Sequence, residues 1–185
     1  MMEIRYMTSE EVLRLIPPSL EYANEISAFD QEFIEHGGYM DGSLSLRYME
    51  DVRVWLDQVE TFSSAETCPK ACSPVTQYLY VREHDRKVIG AINIKLSMTD
   101  DIALFGHIGY SVCPSERRKG YATSMLRDVL PMCRMQGFGE IIVSCFLTNI
   151  ASRKVILRNG GEYESSVIIP GSGNELERYK ITLGA

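Results

Sequence analysis

Hydrophobic positions along this 185-residue chain switch between helical and strand periodicity, and the switches mark the elements. Residues 12–16 are a short apolar run stopped by Pro17-Pro18, which predicts an edge strand. Ser19 is a suitable N-cap for a helix running to about residue 35, where Gly37-Gly38 ends it. Met49, Val52, Leu56 and Val59 recur at three-to-four spacing, which predicts a second helix from about Ser45 with Trp55 bordering its apolar face. Residues 63–74 are a polar, Pro-containing connection, long enough to serve as a lid. Segments 77–83 and 88–96, joined at Asp85-Arg86, read as an antiparallel hairpin. A turn at Thr99-Asp100-Asp101 is expected to lead into a strand over residues 104–113, ended by Pro114. The next helix carries Met125, Leu126, Val129 and Cys133 inward, and Pro131 is expected to kink or shorten it. A strand over 140–147 then returns parallel, a helix over 150–158 stops at Gly160-Gly161, and a hairpin of 162–169 with 175–183 closes the chain.

The segment Arg117-Arg118-Lys119-Gly120-Tyr121-Ala122 sits between the strand ending at Val112 and the helix after it. A helix start carries unpaired backbone N–H groups and partial positive charge, so such a turn holds phosphate oxygens without a catalytic side chain. Gly120 and Ala122 leave room for a ligand to approach the main chain, and Arg117, Arg118 and Lys119 add charged donors. Neither a Walker loop nor a dinucleotide-binding Gly-x-Gly-x-x-Gly string occurs.

Arg117, Gly120 and Ala122 match the Arg/Gln-x-x-Gly-x-Gly/Ala signature of GNAT superfamily N-acetyltransferases, which the chain resembles. The resemblance extends to Gly109-Tyr110-Ser111-Val112-Cys113-Pro114 upstream, and to Asn149-Ile150-Ala151-Ser152 and Asn159-Gly160-Gly161 downstream. It implies an α/β fold of the α+β type: a central mixed, largely antiparallel sheet of six or seven strands flanked by about four helices, with parallel strands four and five splayed apart. A single domain, 1–185, is expected, with acceptor-side helices and loop in 1–75 and an acetyl-CoA-binding core and C-terminal hairpin in 76–185.

The resemblance further implies direct transfer of acetyl from acetyl-CoA, as donor substrate, to the primary amine of a small molecule or protein. Arg117, Arg118, Lys119, Gly120, Tyr121, Ala122 and Thr123 would surround the pyrophosphate, and main-chain groups of Tyr110, Ser111 and Val112 would meet the pantetheine arm. Asn149 and Ser152 would contact the cofactor, although Asn149 is equally a helix N-cap. Val112 is the candidate oxyanion donor through its backbone N–H, because a preorganised donor stabilises the charge that develops when an amine attacks a thioester. Relatives place a thiolate-protonating Tyr where this chain has Ile156, and some place a base where it has Ser144. His107, on the fourth strand with a suitable ordinary pKa, is the candidate base, with Tyr110, Tyr121 and Cys145 as substitutes. The two departures leave a second reading open: a non-catalytic acyl-CoA-binding or sensor domain of the same fold.

Composition narrows the partners. Residues 1–66 hold 14 acids against 4 bases, and residues 67–185 hold 11 against 15. A basic C-terminal half suits anionic coenzyme A, and an acidic N-terminal half suits a cationic acceptor. The pI near 5.2 argues against nucleic acid. Five cysteines at scattered positions suit reduced thiols, and Cys68 and Cys72 lack the second ligand pair a zinc site needs, so no metal is expected. The start at Met1-Met2-Glu3-Ile4-Arg5 lacks a leader's apolar segment and no run is long enough to span a bilayer, so a cytoplasmic protein without membrane association is expected. A homodimer is compatible with the family, with no motif to locate its interface.

Overall fold

The computed structural model describes residues 11–97 and 99–184, and these form seven strands and five helices. Met1 to Arg5, read above for a leader, lie outside the described residues. Strand β1 (Leu13–Ile16), β2 (Val75–Arg82), β3 (Lys87–Lys95) and β4 (Ile108–Val112) make one antiparallel sheet in the order β1-β2-β3-β4. Strand β5 (Glu140–Phe146), β6 (Glu162–Ile168) and β7 (Glu175–Thr182) make a second antiparallel sheet in the order β5-β7-β6. The strand count and the splay match the expectation, but the splay goes further: no ladder joins β4 to β5, so the expected mixed sheet is two antiparallel ones.

Two apolar clusters cover the faces of the first sheet. Helix α1 (Ala23–His36) buries Ile26, Phe29 and Phe33, and these meet Trp55 of helix α2 (Val52–Phe62) over Leu79, Val81, Val88 and Ala91. Helix α4 (Tyr121–Met135) lays Met125, Leu126, Val129 and Cys133 on the opposite face, against Ile92, Ile94, Ile141 and Val143. Strand β3, between the two clusters, is buried along nearly its whole length. Trp55 is core, with its indole N–H donated to Ser43 O at 2.7 Å.

Local chemistry explains where expectation and structure part. The second helix begins at Val52 rather than near Ser45, because Asp51 caps it by accepting from the Arg53 and Val54 amides; Leu46–Tyr48 is a separate 3-10 turn. Ser19 makes no side-chain cap, and a 3-10 turn over Leu20–Tyr22 leads into α1. Residues 99–105 are not a turn and strand but helix α3 (Asp100–Phe105), started by Thr99 accepting from the Ile102 amide and stopped at Gly106. Pro131 does not end α4, which continues to Met135 with Val129 and Cys133 buried on either side of it. Packing outweighs the one backbone bond that proline forgoes.

Among the described residues, one backbone bridge links the sheets. Gly106, at φ +80, brings its backbone against Ile142 O, where a Cβ would sit 2.6 Å from that oxygen. The next residue completes the link: His107 N–H donates to Ile142 O at 2.7 Å, and the Ile142 amide donates to His107 Nδ1 at 2.9 Å. Beyond this point β4 and β5 diverge.

An ion network ties α1 to the β2–β3 turn and to the segment before α4. Glu32 accepts from Lys87 Nζ at 2.9 Å and from the Ser115 amide at 3.2 Å; buried Glu116 pairs with Arg82, Lys87 and Lys119. Burial alone would raise the Glu32 carboxyl, but hydrogen bonds from Cys113, Lys87 and Ser115 hold it down to about 2. A depressed carboxyl stabilises the fold above its unfolded pKa, and that stabilisation is lost as pH falls through the folded value. Wild-type protein is therefore expected to lose roughly 1–3 kcal/mol from this group between about pH 4.5 and pH 2, whereas Glu32→Gln is less stable at pH 7 and shows a flatter profile over that window. Thermal unfolding of both proteins across pH checks this; superimposable acid limbs would refute it.

Candidate functional site

The gap between β4 and β5 opens into a cavity of about 1040 Å³, walled by β4, the segment after α1, the start of α4, the end of β5 and α5 (Ile150–Arg158). Hydrogen bonding along β4 decides what the wall presents. Lys95 N–H bonds His107 O and Cys113 N–H bonds Ile89 O, so in this antiparallel pair the odd-numbered residues of β4 bond to β3. The main-chain groups of Ile108, Tyr110 and Val112 consequently point toward β5, with which they form no ladder. Val112 O is reached by Arg117 Nε at 3.2 Å, as that direction requires. Ser111, grouped above with Tyr110 and Val112, is turned the other way: its main chain serves the sheet.

One end of the cavity is basic and rich in amides. Gly120, at φ +91, turns the chain into α4, and a Cβ there would meet no protein atom within 4 Å. The first helical bonds run from Thr123 and Ser124 to Gly120 O, leaving the amides of Tyr121 and Ala122 ahead of the ladder. Arg118 holds a left-handed conformation at φ 65 and lines the cavity with Arg117, Tyr121, Ala122 and Thr123. Lys119 does not: its Nζ bonds Glu116 Oε2 at 2.7 Å, and the residue is outside the cavity wall. Lys154 and Arg158, one turn apart on α5, add two cations that sequence reasoning missed for want of the α4–α5 neighbourhood.

The candidate catalytic residues separate by position. Tyr110 lines the cavity and its Oη lies 2.6 Å from Ser152 Oγ; burial raises its phenol, so it stays protonated. Asn149 is the N-cap of α5, accepting from the Ser152 amide at 3.0 Å, and also lines the cavity. Cys145 lines it as well, with burial pushing its thiol up to about 11. Tyr121 lines it too, but its hydroxyl bonds Glu11 Oε2 at 2.6 Å. His107 is placed elsewhere. It is buried at the sheet junction, its Nδ1 taken by the Ile142 amide and its ring edge-on to Phe138, and burial lowers its pKa. It does not line the cavity; its hydrogen bonds to Ile142 join the sheets. Ile156 is fully buried core, and Ser144 lines the cavity with its Oγ 3.4 Å from Leu104 O.

A further stretch of the wall is built by residues 38–42, where Gly38 packs on the Arg117 guanidinium, and not by 63–74, none of which lines the cavity. Arg47 donates to Gly38 O at 3.1 Å and to Phe33 O, and Gln77 donates to Gly42 O at 2.8 Å, so the segment is anchored at both ends. It brings Tyr39 and Asp41 to the cavity beside Asn93 and Lys95 of β3. Crowding by protein raises the Asp41 carboxyl, and Lys95 partly opposes the shift. The pair of glycines followed by Tyr-x-Asp-Gly carries no pattern that separates it from a plain helix end, which is why the sequence did not single it out.

The fold of the described residues is also found in known structures. Among them, Mycobacterium smegmatis RimJ in complex with CoA-disulfide is 20% identical, with a TM-score of 0.68 over 93% of this chain and 82% of that one. The microcin C7 self-immunity acetyltransferase MccE, in complex with acetyl-CoA and AMP, is 15% identical with a TM-score of 0.66, over 94% and 93% of the two chains. A Salmonella typhimurium acetyl transferase that modifies the N-terminal serine of a 50S ribosomal subunit protein is 15% identical with a TM-score of 0.63, over 94% and 96%. No curated protein matches the sequence. The described residues contain no helix long and apolar enough to cross a membrane and no group of side chains suited to a metal ion. The model of the acetyltransferase (GNAT) domain matches residues 12–162, and the chain belongs to that family.

Proposed function

We propose that the protein transfers an acetyl group from acetyl-CoA directly to a primary amine. The observation that carries this reading is the free edge of β4, whose Tyr110 and Val112 main-chain groups face a cavity that ends at the amides opening α4. In the transfer, the acceptor ammonium gives up a proton to water, the amine nitrogen bonds to the thioester carbon as the carbon–sulfur bond breaks, and the proton the nitrogen then sheds balances the one the sulfur gains, so the coenzyme leaves as a thiol.

Each part of the wall has a matching task. The Tyr121 and Ala122 amides, with Arg118, Lys154 and Arg158, suit a pyrophosphate: the donors are fixed by the backbone, and the cations surround them. The β4 edge offers hydrogen bonds of strand geometry to an extended amide-bearing arm such as pantetheine. Val112 N–H, held by the sheet and directed at the gap, supplies the donor for the developing oxyanion, a role typically worth about 3–4 kcal/mol. Tyr110, kept protonated and oriented by Ser152, supplies the proton for the departing sulfur in place of the family tyrosine that Ile156 replaces.

Calorimetric titration with acetyl-CoA, followed by thiol release across a panel of amines, tests the reading. Binding with amine-dependent release is expected; binding without release on any amine would favour the sensor alternative. Two variants sharpen it. Gly120→Val forces a branched side chain into a left-handed backbone at the cofactor's approach, so acetyl-CoA affinity should fall roughly tenfold or more while the fold persists. Tyr110→Phe keeps the ring, so acetyl-CoA affinity should hold while kcat drops by about 10²-fold; an unchanged kcat would remove Tyr110 from the reaction.

A further inference from the structure

The wall that β3 and β4 give the cavity contains polar atoms that the described residues leave without partners. Asn93 is 5% exposed and Ser111 is 8% exposed, both line the cavity, and neither Asn93 Oδ1 nor Ser111 Oγ has a hydrogen-bond partner in the protein. A buried acceptor left unpaired is destabilising, and the loss is recovered when an N–H or O–H donor arrives. Two such atoms on one face of β3 and β4, in the wall of a cavity, point to a ligand rich in donors.

Asp41 belongs to the same place. Gly42 packs its backbone on β4 so closely that a Cβ on it would sit 2.2 Å from Gly109 O. From the other side, a Cβ on Gly109 would lie 3.0 Å from Gly42 N and 3.3 Å from Asn93 Oδ1. The backbone following Asp41 and the Asn93 amide oxygen therefore flank the same point of β4, and Ser111 lies two residues along on the same face. Gln77, beside Asn93 in the register, locks the arrangement by donating to Gly42 O and Ile92 O. Solvent reaches Asp41 through the cavity. Around it stands an aromatic rim: Tyr39 is 78% exposed, its ring centroid 6.0 Å from that of Phe146, and Phe105 is 38% exposed.

Resting on the transferase reading above, we infer that Asp41, Asn93 and Ser111 receive the acceptor's amine and that Tyr39, Phe105 and Phe146 bound the stem that carries it, so the acceptor is a primary amine on an apolar or aromatic stem. A primary ammonium offers three N–H donors and one positive charge, and the site offers three oxygen-bearing groups, one of them a carboxylate. The aromatic rim takes a flat apolar stem and favours a cation nearby. Lys95 of β3 and Tyr110 of β4 are the other ionisable groups facing Asp41, and Lys95 disfavours a second cationic group on the acceptor.

The test uses 2-phenylethylamine as probe, with 2-phenylethanol and methylamine as controls, titrated into the full-length protein saturated with CoA. The amine should bind at least about tenfold tighter than the alcohol, which lacks the charge, and than methylamine, which lacks the stem. Asp41→Asn keeps the shape and should abolish the preference over the alcohol while leaving CoA affinity unchanged. Asn93→Ala should weaken the amine about fivefold or more while leaving CoA affinity unchanged, giving a second readout independent of charge. Equal binding of amine and alcohol to the wild type, or an unaltered preference in Asp41→Asn, overturns the assignment. Failure of CoA itself to bind the wild type would instead sink the transferase reading, so the two failures are distinguishable.

Discussion

At Gly106 the backbone approaches Ile142 O more closely than any side chain would allow, and His107 then exchanges two hydrogen bonds with Ile142. A sheet that continued across this junction would pair the outer edge of β4 and erase the cavity. A molecule whose sheets had no junction would have no fixed gap at all. The backbone bridge is single among the described residues and lies before both strands reach the site, so β4 leaves it with its outward amides bonded to none of them. Unpaired strand edges are ordinarily a liability that proteins cover; here the edge lies inside a cleft, where a bound molecule rather than another chain can reach it.

The start of α4 depends on the same economy of side chains. Arg82, Lys87 and Lys119 are paired with Asp85, Glu32 and Glu116 in holding the loop in place, and beside Glu116 the cavity is lined there by amides, two arginines and the cations of α5. Charge near the site thus divides into a structural set that is internally neutralised and a set that faces the cavity. The net charge of the C-terminal half alone does not make that distinction.

Much of this was legible before any coordinates. The hairpin of β2 and β3, the bounds of α5 and the glycine-containing turn into α4 all carry strong local signals, and turn chemistry and periodicity agree there. The helix at Asp100–Phe105 was missed because it is only six residues long, too short for a period to declare itself against the strand that follows. Pro131 misled because the cost of one missing bond is visible in sequence and the burial of Val129 and Cys133 around it is not. His107 has the right chemistry for a base but lies one bond from the sheet junction, a tertiary fact. Asp41, Asn93 and Ser111 gain meaning only from being brought together across residues 41 to 111, and no spacing rule reports that.

The meeting of Gly42 with Gly109 is made by main chain on both sides. Its geometry does not depend on which side chains stand at Tyr39, Asp41 or Phe146, since none of them forms the contact. The loop can therefore change its side chains over evolutionary time without shifting its seat on β4 or disturbing the amides of α4. Selectivity for the acceptor and affinity for the donor become separately heritable traits, and a scaffold with that property can diversify in what it modifies while conserving how it does so.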